Sequence, residues 1–285
     1  MSQTLTYGDH DQFRNPEAMD EVRARDIAAR LESHSASEAT AARAAVLDAL
    51  DVGPGAQVLE VGCGTGAVLR IIAARVAPGG RAVGVDPSPA LLAIAREQLE
   101  AEGLASYAEL HQGDARALPV PDGVFDAVLA VNVMLHVPQG ETAIPELVRA
   151  ARPGGMVGIY DRDNDTFLVS HPDRALTRRI IAAGSDRTAM NSWLVRAAPR
   201  LFRQAGLVDV RARGFALVEQ SGEAAFAPML RRWADAAADV GEISKPERDA
   251  WLAALDAEAA AGTLVVGVTH LFVWGTKPPQ LSSGA

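Results

Sequence analysis

The sequence predicts a doubly wound α/β domain built around a mainly parallel sheet. Three observations carry that expectation. Short apolar runs alternate with stretches of helical spacing over residues 57–161. Runs such as Val128-Leu129-Ala130-Val131 show no polar alternation, as strands buried on both faces require. The breaks between them are glycine and proline turns, above all Gly62-Cys63-Gly64-Thr65-Gly66 and Ala77-Pro78-Gly79-Gly80.

In chain order, residues 16–50 are rich in Ala, Arg and Glu and read as two helices split near residues 33–37. Residues 57–61 form a first strand, 67–76 a helix, 81–86 a second strand, and 89–102 a helix closed by Gly103. Residues 107–111 make a weak third strand and 126–131 a strong fourth. A helix over 141–151 leads through Pro153-Gly154-Gly155 into a fifth strand at 155–161. Helices of about ten residues supply the long crossovers that parallel strands need. Beyond residue 161 the rhythm changes. Residues 173–184 and 192–205 read as helices, 208–217 as a strand, and 222–261 as helical with a break at Ser244-Lys245-Pro246. Residues 263–274 alternate side to side as a long closing strand. The chain thus divides into a helical cap at 1–50, a core at 51–161, and a remainder at 162–285 with helical insertions at 162–206 and 219–262.

Composition narrows the function classes. The net charge is −9, and Arg200/Arg203, Arg211/Arg213 and Arg231/Arg232 are scattered pairs, which argues against nucleic acid as a partner. Cys63 is the only cysteine, so no intrachain disulfide is expected and no thiolate cluster can hold a metal. Residues 1–16 lack the apolar core of a signal peptide, and 264–274 are too short to span a bilayer. A cytoplasmic protein without a membrane span is the expectation, with the N-terminal helices a candidate homodimer surface.

The sharpest local signal is Val58-Leu59-Glu60-Val61-Gly62-Cys63-Gly64-Thr65-Gly66. A strand, a glycine turn and a helix bring a ligand against bare backbone, and the helix start favours an anionic group. Asp86 closes the second strand, where a carboxylate can accept both ribose hydroxyls of an adenosine-type cofactor. Residues 62–67 also fit the dinucleotide pattern, so an NAD-dependent oxidoreductase stays open at this point. Glu60 leans the other way. A charge two residues before the first glycine interrupts an apolar strand and needs a partner, which a ligand ammonium would supply.

Three further segments add to these: Gly113-Asp114-Ala115; residues 120–128, which include Phe125-Asp126-Ala127-Val128; and residues 147–157 with Arg152-Pro153-Gly154-Gly155. With residues 60–66 and Asp86, this ordered set resembles the class I S-adenosylmethionine-dependent methyltransferases, in particular the small-molecule branch typified by ubiquinone and menaquinone biosynthesis. The resemblance covers about residues 45–161. It implies a Rossmann-like methyltransferase fold, a seven-stranded sheet whose last strand is antiparallel. It also implies roles. Glu60, Gly62, Cys63, Gly64 and Gly66 line the methionine half of the cofactor, with Cys63 as a small packing residue. Asp86 holds the ribose beside Pro87. Gly113, Asp114 and Ala115 meet the adenine, and Asn132 sits near the sulfonium.

Methyl transfer from a sulfonium is an in-line displacement, so positioning supplies much of the acceleration, and a base is needed only for an acceptor that keeps its proton. His136, in the loop after the fourth strand, is the leading base candidate. Asp163, in the acidic run 161–167, is the second, with a solvated loop as the competing reading. That run fails as a calcium loop, because Thr166 stands where glycine is needed and Pro172 where a bidentate Glu belongs. His171, Trp193, Phe226, Trp233 and Trp251 are candidates for an acceptor pocket, with core packing the more common fate of the aromatics. A small, partly apolar acceptor is expected. A non-methylating cofactor-holding protein is the other alternative.

Overall fold

Val58, Leu59, Glu60 and Val61 are all buried, which places the first strand, β1 (Gln57–Val61), in the middle of a sheet with layers on both faces. The computed structural model describes residues 11, 13, 15–33, 37–220 and 226–279. Two N-terminal helices, α1 (Glu21–Ser33) and α2 (Ser37–Ala49), precede β1. The alternating half follows as α3 (Ala67–Val76), β2 (Arg81–Asp86), α4 (Pro89–Ala101), β3 (Ala108–Gln112), β4 (Phe125–Val131), α5 (Ile144–Ala150) and β5 (Ala151–Val169). The chain ends with α6 (Arg174–Arg187), α7 (Leu194–Gln204), β6 (Val208–Gln220), α8 (Ala227–Asp239), α9 (Lys245–Ala260) and β7 (Val265–Thr276). The seven strands lie in the order β3-β2-β1-β4-β5-β7-β6. The first five run parallel, and β7 runs antiparallel to both of its neighbours. This is the expected doubly wound sheet with its antiparallel last strand.

Strand alternation sends Leu59, Val128 and Ile159 into one core with α5 and α7. Val58, Leu129 and Tyr160 go into the other, under α2 and α3. The order reverses between β1 and β4, so a crevice opens at their carboxyl ends, where open α/β sheets bind ligands.

Two expectations need correction. The fifth strand is predicted over residues 155–161 but β5 has 19 residues, Ala151–Val169. Its pairing with β4 jumps from Phe125↔Ala151 to Ala127↔Met156, so Pro153-Gly154-Gly155 is a bulge inside the strand and not a turn before it. The acidic run 161–167 also stays in the strand and is no solvated loop: Asp161, Asp163 and Asn164 are buried. Its second bulge, between Asp163 and Leu168, is pinned by Thr166, whose hydroxyl donates to the Asp163 carbonyl (2.7 Å) and accepts from the Thr269 N–H (2.8 Å). The break in the long helical region falls at 240–244, and its predicted start at residue 222 lies outside the described residues.

Because β5 and β7 outrun the rest of the sheet, their far ends carry a separate apolar cluster. Phe167, Val266 and Val268 pack there with Ile180 of α6, Trp233 of α8 and Trp251 of α9. Each large side chain so buried contributes about 1.5–3 kcal/mol. The Trp251 indole N–H donates to the Thr177 hydroxyl at 2.9 Å, and Ser244 opens α9 with a reciprocal capping box with Glu247. Between this cluster and the two sheet cores runs a belt of buried polar groups: Asp11, Asp161, Asp163, Asn164, Ser185, Ser192 and His270.

Candidate active site

The glycine turn wraps the carboxyl end of β1. Gly62, Gly64 and Gly66 all have positive φ, which glycine alone adopts without penalty. A Cβ on Gly62 would lie 2.4 Å from Val133 Cγ2, so the turn presses against the loop after β4. A Cβ on Gly64 would meet nothing within 4 Å, so this residue faces the open crevice. Cys63 is buried, its sulfur against Gly84 of β2, and burial pushes its thiol well up, so it packs and does not react.

Asp86 closes β2 and accepts the backbone N–H groups of Gly64 (2.8 Å) and Ser88 (2.9 Å). Burial nevertheless lifts its carboxyl to about 6. Pro87 beside it accepts from the Gln112 amide at 3.2 Å. Gly113 donates to the Asp86 carbonyl. Asp114 is held by Arg116, through its N–H at 2.8 Å and its Nε at 3.0 Å, which keeps its carboxyl below the usual range. Ala115 is buried beside it.

Two of the side-chain atoms buried without a partner lie at the ends of β1 and β4. One is Glu60 Oε2, on a side chain 2 % exposed whose carboxyl burial pushes well up. The other is Asn132 Oδ1, on a residue at φ 56° whose N–H donates to the Tyr160 carbonyl at 2.7 Å. A buried acceptor without a donor costs about 1–3 kcal/mol. Both point to a ligand that brings donors.

The match to known proteins follows this geometry. Residues 58–155 match the family model described as "Methyltransferase domain". The chain is 30% identical over 238 residues to an uncharacterized 37.1 kDa protein of transposon TN4556 from Streptomyces fradiae, spanning 83% of this chain and 67% of that one. It is 40% identical over 119 residues to a demethylmenaquinone methyltransferase of Thermus thermophilus, over 42% of this chain and 52% of that one. A phosphoethanolamine N-methyltransferase of Haemonchus contortus, solved with S-adenosyl-L-methionine, superposes with a TM-score of 0.52 at 19% identity, over 84% of this chain and 52% of that one. Residues 58–155 form a domain of the S-adenosylmethionine-dependent methyltransferase family, and the chain spans about half the length of the named methyltransferases it matches. The oxidoreductase alternative is thereby set aside. The donor set fits the family's cofactor: an unpartnered carboxylate for an ammonium, an open glycine backbone, and a strand-end carboxylate for a ribose.

On the other side of the crevice of this methyltransferase stands His136, in the short turn after β4. Its Nδ1 lies 2.8 Å from Oδ2 of Asp11, whose side chain is fully buried, and Phe13 packs on its ring at 4.7 Å. No hydrogen bond engages His136 Nε2 among the described residues. The turn itself is held by Asp161. Its carboxylate accepts from the Leu135 N–H at 3.2 Å with the Val133 and Met134 N–H groups also directed at it, while burial lifts it to about 7.

Asp163 is placed differently from the expectation. Both of its oxygens accept from Arg196, at 2.6 Å each, so its lone pairs are engaged in an ion pair with α7. The aromatic candidates also move. Phe226, Trp233 and Trp251 build the outer cluster, and His171 stacks on Trp251. Trp193 lies on the surface under Arg196. Around Asp161 and Arg162 of the acidic run lie groups that sequence reasoning missed: Asp11, Arg43, Tyr160 and His270. Strand parity could have singled out Tyr160 and Arg162, which share a face of β5, and His270, which stands opposite Arg162 on β7. Nothing local marks Asp11 or Arg43. Among the described residues no three His, Cys, Asp or Glu side chains are grouped to hold a metal, and no helix is long and apolar enough to cross a membrane.

Proposed function

We propose that the protein transfers a methyl group to a small, partly apolar molecule bound in the belt between the sheet cores and the outer helical cluster, with His136 as the base. The observation that carries this reading is the His136–Asp11 pair, which leaves Nε2 unengaged at the crevice lined by Glu60 and Asn132. The cofactor, when bound, supplies an electrophilic methyl on sulfur. The chain's own groups do the rest. Glu60 holds the ammonium, and Gly62, Gly64 and Gly66 offer backbone to the methionine half. Asp86 takes the ribose hydroxyls, Asp114 the adenine amino group, and Asn132 lies toward the sulfonium. The Asp11 carboxylate fixes the Nδ1–H tautomer of His136, so the lone pair sits on Nε2. Nε2 then takes the acceptor proton as the nucleophile forms, and Asp11 stabilises the imidazolium. The outer helices exclude water, which favours transfer over hydrolysis.

The test is S-adenosylhomocysteine release across a panel of phenols, quinone precursors and polyketide-type carbon acids. His136→Ala is expected to lower kcat by about 100- to 1,000-fold with cofactor affinity unchanged. Asp11→Asn is expected to lower it by about tenfold, because the tautomer is no longer enforced. Unchanged turnover in His136→Ala removes the base. A cofactor-binding protein that releases no product with any acceptor turns the reading to the non-methylating alternative.

A further inference from the structure

Arg162 on β5 and His270 on β7 stand directly opposite each other in the antiparallel ladder, on the sheet face that also carries Tyr160. The Nε of Arg162 donates to Asn164 Oδ1 at 2.7 Å, which fixes the plane of the guanidinium. Its two terminal nitrogens have no hydrogen bond or ion pair among the described residues. The His270 ring stacks on Tyr160 at 5.1 Å and 16°, is 4 % exposed, and its Nδ1 is buried without a partner. Arg43 reaches the same region from α2: its charge bears on Glu60, Tyr160 and His270, and among the described residues no hydrogen bond or ion pair holds it. Arg232 of α8 adds a further positive field at Arg162.

The carboxylates close by temper this charge without pairing with it. Asp11 is bound to His136, Asp163 to Arg196, and Asp161 Oδ2 to the Leu135 N–H; the field of Asp161 supports the charge of Arg162 and that of Arg43 bears on Glu60, but no ion pair joins them among the described residues. A chain of net charge −9 thus holds two arginines, Arg162 and Arg43, beside His270 with no ion-pair partner among the described residues. A planar guanidinium held by its Nε presents two parallel N–H donors, the geometry that binds carboxylate or phosphate oxygens in pairs. Burial, reinforced by Arg162 and Arg43, holds His270 neutral, with a pKa of about 3, so it can donate one further hydrogen bond without adding charge.

We propose that Arg162 and His270, with Arg43 beside them, form a subsite for a compact oxyanion, carboxylate or phosphate, carried by the methyl acceptor. The proposal rests on the reading of this belt as the acceptor side. It narrows the acceptor to an acid: a molecule with an apolar body, an anionic handle at Arg162 and a nucleophilic atom toward Asn132 and His136.

The experiment is calorimetric titration of the full chain, saturated with S-adenosylhomocysteine, with benzoate, phenyl phosphate and uncharged benzamide. One of the two anions is expected to bind about tenfold or more tightly than benzamide, and which one it is separates a carboxylate handle from a phosphate handle. Arg162→Met and His270→Phe should each cut that preference to about threefold or less, with S-adenosylhomocysteine affinity held within about twofold. If Arg162→Met does not fold, Arg162→Lys serves. It keeps the charge but loses the paired donors, and should retain only part of the preference. Equal binding of the charged and uncharged probes overturns the subsite. So does a loss of S-adenosylhomocysteine affinity in the Arg162 variants, which would assign the guanidinium to the cofactor's own carboxylate. Failure of the unaltered chain to bind S-adenosylhomocysteine would instead defeat the reading beneath it.

Discussion

The two sides of the crevice are built from different materials. On the cofactor side, backbone does most of the work: three glycines at positive φ, the N–H groups of Gly64 and Ser88 on Asp86, and a turn closed against Val133. On the side we assign to the acceptor, polar and charged side chains do it, drawn from the N-terminal segment, α2, β5, α7 and β7. A backbone site is fixed by local conformation and tolerates little change. A side-chain site is fixed by tertiary packing and can be re-specified one residue at a time. One fold can thus keep one cofactor while changing acceptors.

Substitutions should separate the two sides, from the largest effect to the smallest. Gly62→Ala forces a Cβ into Val133 at φ 74°, and is expected to destabilise the fold by about 3 kcal/mol in a thermal melt while abolishing cofactor binding. Asp163→Asn takes from Arg196 its closer ion partner, leaving Asp165 at 3.6 Å, and should cost about 2 kcal/mol of stability, with cofactor affinity unchanged. Lost turnover at unchanged stability would instead return Asp163 to the role of base. Glu60→Gln should weaken S-adenosylhomocysteine by about 2 kcal/mol yet leave adenosine, which has no ammonium, unaffected. Equal losses for both would disconnect Glu60 from the ammonium.

The pH dependence of Asp86 gives a subtler test. Its carboxyl, raised to about 6 in the folded chain, binds its proton more tightly there than when unfolded, so its contribution to stability declines as pH rises from about 4 to 6 and is level above. Adenosine binding runs the opposite way, because ribose hydroxyls donate to the ionised form. Affinity should be flat above about pH 7 and fall about tenfold by pH 5, a slope that Asp86→Asn removes. The smallest effect belongs to Gly64→Ala. With no neighbour within 4 Å it meets only the left-handed penalty, about 1 kcal/mol.

This contrast also governs how much could be read from the chain alone. The first four strands, the helices between them and the turn at Gly62–Gly66 were legible because each strand, breaker and glycine acts within its own few residues. The length of β5 was not, because Pro153-Gly154-Gly155 and the acidic run 161–167 both carry turn chemistry that tertiary pairing overrides as bulges. The base candidate His136 could be singled out from its loop. Its partner Asp11 could not, since 125 residues separate them and neither lies in a pattern. Trp233 and Trp251 illustrate the converse: large aromatics near an insertion suggest a pocket, but their first use is to fill the cluster that makes the insertion stable.

One consequence of the length of β5 concerns traffic. The outer helices are mounted on β5 and β7, whose ladder runs unbroken in sequence from Met156↔Thr276 to Val169↔Val266 apart from a single bulge. A roof carried on rafters continuous with the floor has no hinge, so swinging it aside would mean unzipping hydrogen bonds along the ladder. Asp11 and Phe13 meet His136 through side chains alone, a hydrogen bond and a ring contact, and Phe13 also rests on the apolar cluster of Met19, Ile27 and Leu91. Side-chain contacts part more cheaply than a strand ladder, so ligands should exchange on the His136 side, past the residue we propose as the base.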